Sequence, residues 1–203
     1  MIKMFNSGAR KSWGFPRTYR DDEGKLKGLP ESNTWNLMHS RCDETKQVGH
    51  RPNKAYDRKK TSVCEDWFNY QNFAKWWHSV EYREEGWQLD KDILKKGNNI
   101  YSPEFCCFVP SEINTLFINN TVNRGELPLG VTWHTVNKNF IAAIRMGDRK
   151  RHHLGSFPTI EEAFECYKER KELFIKERAE EYKEYLDPRV YESMLKWEIE
   201  WTD

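Results

Sequence analysis

The sequence predicts an α+β protein in which helical and strand-forming segments occupy different parts of the chain. In residues 66–80, apolar side chains recur at the spacing of one helix face and include Trp67, Tyr70 and Trp77. Between residues 130 and 155, apolar and polar residues instead alternate with a period of two, as in half-buried strands. The chain also holds 9 Trp, 11 Phe and 9 Tyr, and each such ring can bury about 150–250 Å². This aromatic content predicts a folded chain.

The first 80 residues are predicted to contain an arm and two helices. Residues 1–29 are polar, basic and dotted with glycine, which indicates an irregular arm. Residues 32–42 carry apolar side chains at helical spacing and form the first predicted helix. A predicted basic loop at 43–60 separates it from the second, aromatic helix at 66–80.

The next part of the chain predicts two short strands and a short helix. Extended segments at 87–92 and 99–102 flank a Lys-Lys-Gly-Asn turn. Pro110 and Ser111 then open a helix. The polar segment 119–127 that follows is the best candidate for a linker, so a front module over 30–118 is expected.

The second module, over residues 128–184, is predicted to be a three-stranded antiparallel sheet packed on a helix. Its strands are GVTWHTV, FIAAIRM and RKRHHLG, and Asn-Lys-Asn and Gly-Asp turns join them. The helix begins at a capping box formed by Thr159 and Glu162. Its apolar stripe, which would pack on the sheet, comprises Ile160, Ala163, Phe164 and Tyr167.

A last, acidic helix is predicted over 187–203. Asp187 and Pro188 suit a helix start, and apolar residues follow on one face: Val190, Met194, Trp197 and Trp201. Residues 160–203 hold 8 Lys/Arg and 14 Asp/Glu, a net charge of −6, whereas residues 1–60 hold 14 and 7, a net charge of +7. The basic front indicates a polyanionic partner for one part of the chain.

Composition also bears on the compartment and on metals. No run of about eighteen apolar residues and no apolar signal core occurs, so a soluble cytoplasmic protein with no membrane partner is expected. The five cysteines, at positions 42, 64, 106, 107 and 166, form no CxxC pair. Neither structural zinc nor a disulfide framework is therefore expected, and buried thiols are the simpler interpretation.

The alternation in the three predicted strands groups polar side chains on one face. The side chains expected to point away from the helix are Thr132, His134, Arg145, Arg151 and His153. A sheet of this width fits the DNA major groove, where arginine can bond guanine through two hydrogen bonds. The alternative is an ordinary solvated sheet face, which would also be polar.

A resemblance adds to this pattern. The runs that carry it are Gly130-Val131, Phe140-Ile-Ala-Ala-Ile-Arg145, Lys150-Arg151, Leu154-Gly-Ser-Phe157, Thr159-Ile-Glu-Glu-Ala163 and Tyr167. Over about fifty residues they resemble the Apetala-two DNA-binding domain. The resemblance implies a three-stranded sheet laid in the major groove of double-stranded DNA, with the five face residues as reading positions. Several arginines of the plant members are Thr, Ala or His here, so the preferred DNA sequence is not implied.

The front module resembles the HNH homing endonucleases of bacteriophages. The motif comprises Leu89-Asp90-Lys91-Asp92, Gly97-Asn98 and Tyr101-Ser-Pro-Glu-Phe-Cys-Cys-Phe-Val-Pro110. Its wider frame comprises Trp35-x-x-Met38-x-x-Arg41-Cys42, Val63-Cys64-x-x-Trp67-x-Asn69 and Ile113-Asn114. This frame also resembles that of phage members that end in an Apetala-type domain. The resemblance implies an HNH-like ββα-metal module, made of a strand ending in Asp-His, a Gly-Asn loop, and Asn-x-x-Trp-Val opening a helix.

HNH chemistry needs a hard divalent cation, here Mg²⁺ or Mn²⁺, to stabilise charge on the scissile phosphate. By the resemblance, Asp90 is the metal-binding carboxylate and Asn98 the loop asparagine. Lys91 stands at the position of the general-base histidine, and Phe105 at that of the second metal-ligand asparagine. The lost ligand has three candidate replacements, Asp92, Asn99 and Glu104, and His78 is a candidate imidazole.

Three functions therefore remain open from the sequence. The first is a metal-dependent DNA endonuclease whose catalytic residues are Asp90, Lys91 and Asn98 and whose metal ligands are Asp90 and Asp92. The second is a relative of such enzymes that has lost its active site and acts by binding DNA. The third is an interaction protein that docks a partner through the acidic helix. Neither the oligomeric state nor the target DNA sequence follows from the sequence.

Overall fold

A computed structural model describes residues 14–42, 61–118, 127–147 and 150–203. Within these residues lie five α-helices, one 3-10 helix and nine strands. The strands form three two-stranded sheets and one three-stranded sheet. This mixture of helices and small, largely antiparallel sheets confirms the α+β class. None of the described helices combines the length and the apolar content needed to cross a membrane.

The chain enters the described region through a hairpin. Strands β1 (Thr18–Arg20) and β2 (Leu26–Gly28) pair antiparallel around a turn in which the Lys25 N–H donates to Asp21 Oδ1 at 2.8 Å. The prediction of an irregular arm was wrong for this stretch. The hairpin is exposed on both sides, so its residues carry no hydrophobic alternation that could reveal it. Residues 1–13 of the predicted arm lie outside the described residues.

Helix α1 (Pro30–Cys42) confirms the first predicted helix. The second is interrupted: a 3-10 helix (Glu65–Phe68) is followed by α2 (Tyr70–Ser79). Asn69, between them, has extended φ and ψ values, and its side chain accepts the N–H of Gln71 at 2.9 Å. Asparagine caps helices in this way, so a new helix starts within the continuous apolar pattern. The predicted basic loop at 43–60 lies outside the described residues.

Four short strands organise the centre of the front half. Strand β4 (Gln88–Asp90) pairs antiparallel with β6 (Cys107–Val109), whereas β5 (Ile100–Tyr101) pairs parallel with β3 (Ser62–Val63). The two predicted extended segments therefore exist, but they pair with other strands. Helix α3 (Ser111–Leu116) follows β6 directly, as the proline and serine predicted.

The second half begins with the predicted sheet. Strands β7 (Val131–His134), β8 (Asn139–Met146) and β9 (Lys150–Phe157) are antiparallel, with β8 in the middle. Helix α4 (Ile160–Tyr182) packs on one face of the sheet. The Glu162 N–H donates to Thr159 Oγ1 at 3.3 Å, which confirms the predicted helix start.

Helix α5 (Pro188–Leu195) starts at the predicted Asp187 cap but is shorter than predicted. The helix ends at Leu195, and beyond it the N–H of Ile199 donates to the Glu172 side chain at 2.8 Å. Trp197 and Trp201 therefore lie beyond α5, and placing them on its face was wrong. They pack instead on Phe117 and Phe164, with ring centroids 4.5 and 4.9 Å apart respectively.

The ribbon formed by β4 and β6 lies between two buried clusters. Leu89 and Phe108, which pair across the ribbon, belong to a cluster with the aromatic residues of the front helices. Cys107 and Val109 belong to a second cluster. That cluster continues through Ile113 of α3 into the sheet, α4 and α5. The front half and the three-stranded sheet thus share one core, although most of the predicted linker between them lies outside the described residues.

Candidate nucleic-acid interface and candidate metal loop

The strand register places all five predicted reading residues on one face of the sheet. Across the strands, Thr132 pairs with Ile141, His134 with Asn139, Ala143 with His153, and Arg145 with Arg151. Directly paired residues share a face, and residues two apart along a strand share it as well. We call this side the outer face. Its members are Thr132, His134, Asn139, Ile141, Ala143, Arg145, Arg151, His153 and Ser156.

The opposite side of the sheet is buried against α4. Val131, Ala142 and Ile144 point to this side and are 2%, 0% and 2% exposed. They join the same buried cluster as Ala163 and Tyr167 of the helix. Because the helix covers this side, only the outer face is free to contact a large partner.

A bulge in β9 sets which residues reach the outer face. Ala142 pairs with Gly155 and Ala143 with His153, so Leu154 is an extra residue in β9. Beyond it the alternation reverses, which turns Ser156 outward beside Ile141. Strict alternation from Leu154 would turn Ser156 inward, and sequence reasoning did not assign it to the outer face. Gly155, a glycine inside a strand pattern, was the available signal for a bulge.

Hydrogen bonds preorganise the outer face. Arg151 Nη2 donates to Thr132 Oγ1 at 2.8 Å, so the guanidinium of β9 reaches across the central strand to β7. His153 Nε2 lies 3.3 Å from Ser156 Oγ. None of the described outer-face residues is acidic. The face can therefore present arginine, imidazole and hydroxyl groups to a polyanion without carboxylate repulsion.

The candidate metal loop runs from Asp90 to Asn98, between β4 and β5. Asp90 Oδ1 accepts the backbone N–H groups of Asp92 and Ile93, each at 2.7 Å. Burial raises the pKa of the Asp90 carboxyl, and the two N–H donors oppose that rise. Asp90 pairs with Cys107 and so projects from the same side of the ribbon, toward the core shared with the second half.

Lys91 and Asn98 hold the loop closed. Lys91 is 6% exposed, and its Nζ contacts Asp92 Oδ1 at 2.6 Å and the Asn98 carbonyl oxygen at 2.8 Å. Asn98 Nδ2 donates to the carbonyl oxygens of Lys91 and Ile100, both at 2.8 Å. The structure thus brings together all four residues that the sequence singled out in this loop.

This donor set does not fit a Mg²⁺ or Mn²⁺ site. A divalent cation needs several oxygen ligands at once. One oxygen of Asp90 is bound by two N–H groups, the Asn98 amide is committed to the backbone, and the Lys91 ammonium lies against Asp92 where a second cation would be repelled. Within the described part of the chain, no group of three His, Cys, Asp or Glu side chains is placed to hold a metal ion.

Two other residues considered for this chemistry, His78 and Phe105, make contacts elsewhere. His78 Nε2 lies 3.3 Å from Glu31 Oε1 of α1, and its ring stacks on Phe15. Phe105 packs under the Lys95 ammonium, 4.9 Å from its ring centroid. The order of β4, loop, β6 and α3 is compatible with a ββα arrangement but does not identify a family.

The cysteines are free thiols that are buried or partly buried. All five are free; Cys106 and Cys107 are buried and the other three are partly buried. Burial raises the pKa of Cys106 and Cys107, which disfavours the thiolate that a metal would bind.

No protein-family model, curated protein or solved structure significantly matches this chain. Both family resemblances therefore stay predictions, and the functional argument depends on the geometry.

Proposed function

We propose that this protein binds double-stranded DNA by laying the outer face of β7, β8 and β9 in the major groove. The observation that carries the proposal is the outer face itself. It holds two arginines, two histidines and two hydroxyl side chains, and its reverse side is buried on a helix. The many acidic residues of α4 lie on the far side of the sheet from the DNA.

The dimensions and chemistry suit this partner. The major groove is about 12 Å wide and admits a narrow antiparallel sheet, and each base pair shows a distinct pattern of donors and acceptors there. Arg145 and Arg151 pair directly at one end of the face, and the Arg151 guanidinium reaches from there to Thr132 near the centre, so the two arginines offer guanidinium groups at two places along the groove. Lys150 and Lys138 follow at strand ends, where phosphates would pass.

Of the two DNA-directed hypotheses, the loop geometry favours binding without cleavage. The ammonium of Lys91 lies where the nuclease hypothesis needs a general base and a nearby cation. Lys91 Nζ contacts Asp92 Oδ1 at 2.6 Å and the Asn98 carbonyl oxygen at 2.8 Å, so it is already committed to acceptors of its own loop.

The binding proposal is tested by substitution on the outer face. Arg145→Ala and Arg151→Ala should each weaken binding to the preferred duplex by about 1–3 kcal/mol and relax its preference at one base pair. Binding by the natural chain should also fall steeply with salt, because neutralised phosphates release counterions. Lys176→Ala, on the exposed side of α4, is the matched control and should bind as the natural chain does. Unchanged binding in the double variant would contradict the proposal.

A nicking assay separates binder from nuclease. Purified protein is incubated with supercoiled plasmid carrying the preferred site, with Mg²⁺, with Mn²⁺ and with chelator. We expect the natural chain to leave the plasmid intact. Lys91→His, which supplies an imidazole, and Asp90→Ala are assayed beside it. Cleavage by the natural chain that disappears in Asp90→Ala would establish the nuclease instead.

A further inference from the structure

The outer face has an aliphatic side chain at its centre, next to the hydrogen bond between Arg151 and Thr132. Ile141 lies on the middle strand, and its partners on this face are Thr132 on β7 and Ser156 on β9. Isoleucine is the largest side chain of the three, and Ile141 is partly exposed. The centre of the face is therefore an aliphatic group flanked on both sides by hydroxyls.

Polar rows lie on either side of this centre. Toward one end, Ala143 is only 7% exposed, and the Arg145 and Arg151 pair follows it. Toward the other end, His134 pairs with Asn139. An aliphatic group thus stands in the middle of a face that is otherwise built for hydrogen bonding.

On the basis of the proposed DNA binding, we propose that Ile141 reads the C5-methyl group of a pyrimidine, which is thymine in unmodified DNA. In the major groove the C5-methyl of thymine offers an apolar contact that cytosine lacks. The flanking hydroxyls of Thr132 and Ser156 can each donate or accept a hydrogen bond. They suit the O4 acceptor of thymine and the N4 donor of cytosine equally, so the methyl group carries the discrimination.

The strand also sets the spacing between contacts. Arg145 and Ile141 are four residues apart on β8, which is about 13 Å at about 3.3 Å per residue. With base pairs about 3.4 Å apart, a strand that follows the groove separates the two contacts by roughly four base pairs. The preferred site should therefore hold a guanine and, roughly four base pairs away, the methylated pyrimidine.

The test uses the full chain and changes the DNA by one methyl group. A preferred duplex is selected from a randomised pool, and each thymine in it is then replaced by uracil. At one position the replacement should weaken binding about fourfold, the value of one buried methyl group. Cytosine placed there should bind as weakly as uracil or more so, and 5-methylcytosine should bind better than cytosine by a similar factor.

Protein variants assign the effect to Ile141. In Ile141→Ala the ratio of thymine to uracil affinity should fall to near one, and Ile141→Val should keep an intermediate ratio. Leu173→Ala, an exposed apolar residue on α4 that is 52% exposed, should keep the natural ratio. A ratio that persists unchanged in Ile141→Ala would overturn the assignment.

The outcomes separate this inference from the function on which it rests. A chain that selects no duplex overturns the DNA-binding proposal itself. A chain that selects a duplex but tolerates uracil at every thymine overturns the reading by Ile141 alone. If Ile141→Ala fails to fold, the comparison of thymine with uracil on the natural chain still shows whether the protein reads the methyl group.

Discussion

Four side chains determine the hydrogen bonding of the loop between β4 and β5. The sequence grouped Asp90, Lys91, Asp92 and Asn98 correctly, since all four meet in one loop. Their roles differ from those of a metal site, because the Lys91 ammonium supplies the internal positive charge and Asn98 closes the backbone. Residue type and spacing predict such proximity, whereas the direction of each hydrogen bond depends on the folded loop.

Lys171 offers a residue-scale prediction of pH dependence. It lies on the buried side of α4, 8% exposed, and burial lowers its pKa from 10.5 to about 8. The unfolded chain therefore binds more protons between these values, so the unfavourable contribution of Lys171 is complete below about pH 8 and is lost as the pH rises toward 10.5. Lys171→Met should raise the free energy of unfolding at pH 7 by about 1–3 kcal/mol.

Urea denaturation at pH 7 and at pH 10 measures this effect. Lys176→Met, an exposed substitution on the same helix, corrects for the tyrosines and cysteines that titrate in the same range. The gain from Lys171→Met, relative to that control, should shrink at the higher pH. A gain of zero, or one that does not change with pH, would contradict a buried lysine.

At the scale of elements, the hydrophobic pattern predicted those strands and helices that have one buried side. The three strands and α4 are confirmed because one side of each is buried and the other exposed, which leaves a period in the sequence. The β1–β2 hairpin has no buried side and was missed. The break at Asn69 and the bulge at Leu154 were missed because a cap and an extra residue interrupt a period without removing its apolar residues.

Gly130, just before β7, lies against Tyr167 of α4. Its φ is 75°, a left-handed value, and a Cβ there would overlap the ring of Tyr167 on α4. Gly130→Ala should therefore lower the free energy of unfolding by more than about 2 kcal/mol, since both backbone strain and overpacking oppose it.

Gly24 provides the matched control for this substitution. Its φ is 77°, but a Cβ there has nothing within 4 Å. Gly24→Ala should show only the backbone cost, about 1 kcal/mol. Thermal and urea unfolding of the two variants would compare them. Equal losses would mean that the close approach of β7 to α4 contributes nothing beyond the backbone conformation.

At the scale of the whole molecule, the shared core joins the front half, which carries the loop, to the three-stranded sheet. The β4–β6 ribbon has a buried cluster on each side, and the second of these clusters reaches the sheet, α4 and α5. Lys96 of the loop region also contacts the last residues of the chain, with Nζ 2.8 Å from Asp203 Oδ2 and 2.9 Å from the Glu198 carbonyl oxygen. The front half therefore supports the position of the sheet.

Ile113 tests that mechanical link. It lies on α3 in the front half, is 0% exposed and belongs to the same cluster as Ala142 and Ile175. Ile113→Ala should lower the free energy of unfolding by about 2–5 kcal/mol, because it leaves a cavity in that cluster. If the core is one cooperative unit, the opening free energy measured by hydrogen exchange should fall by the same amount for the slowest amides of β8 as for those of α3. Leu37→Ala, at a site 59% exposed, should change neither. Acceleration confined to the front half would mean that the sheet is stable without it, and that the second half unfolds as a separate unit.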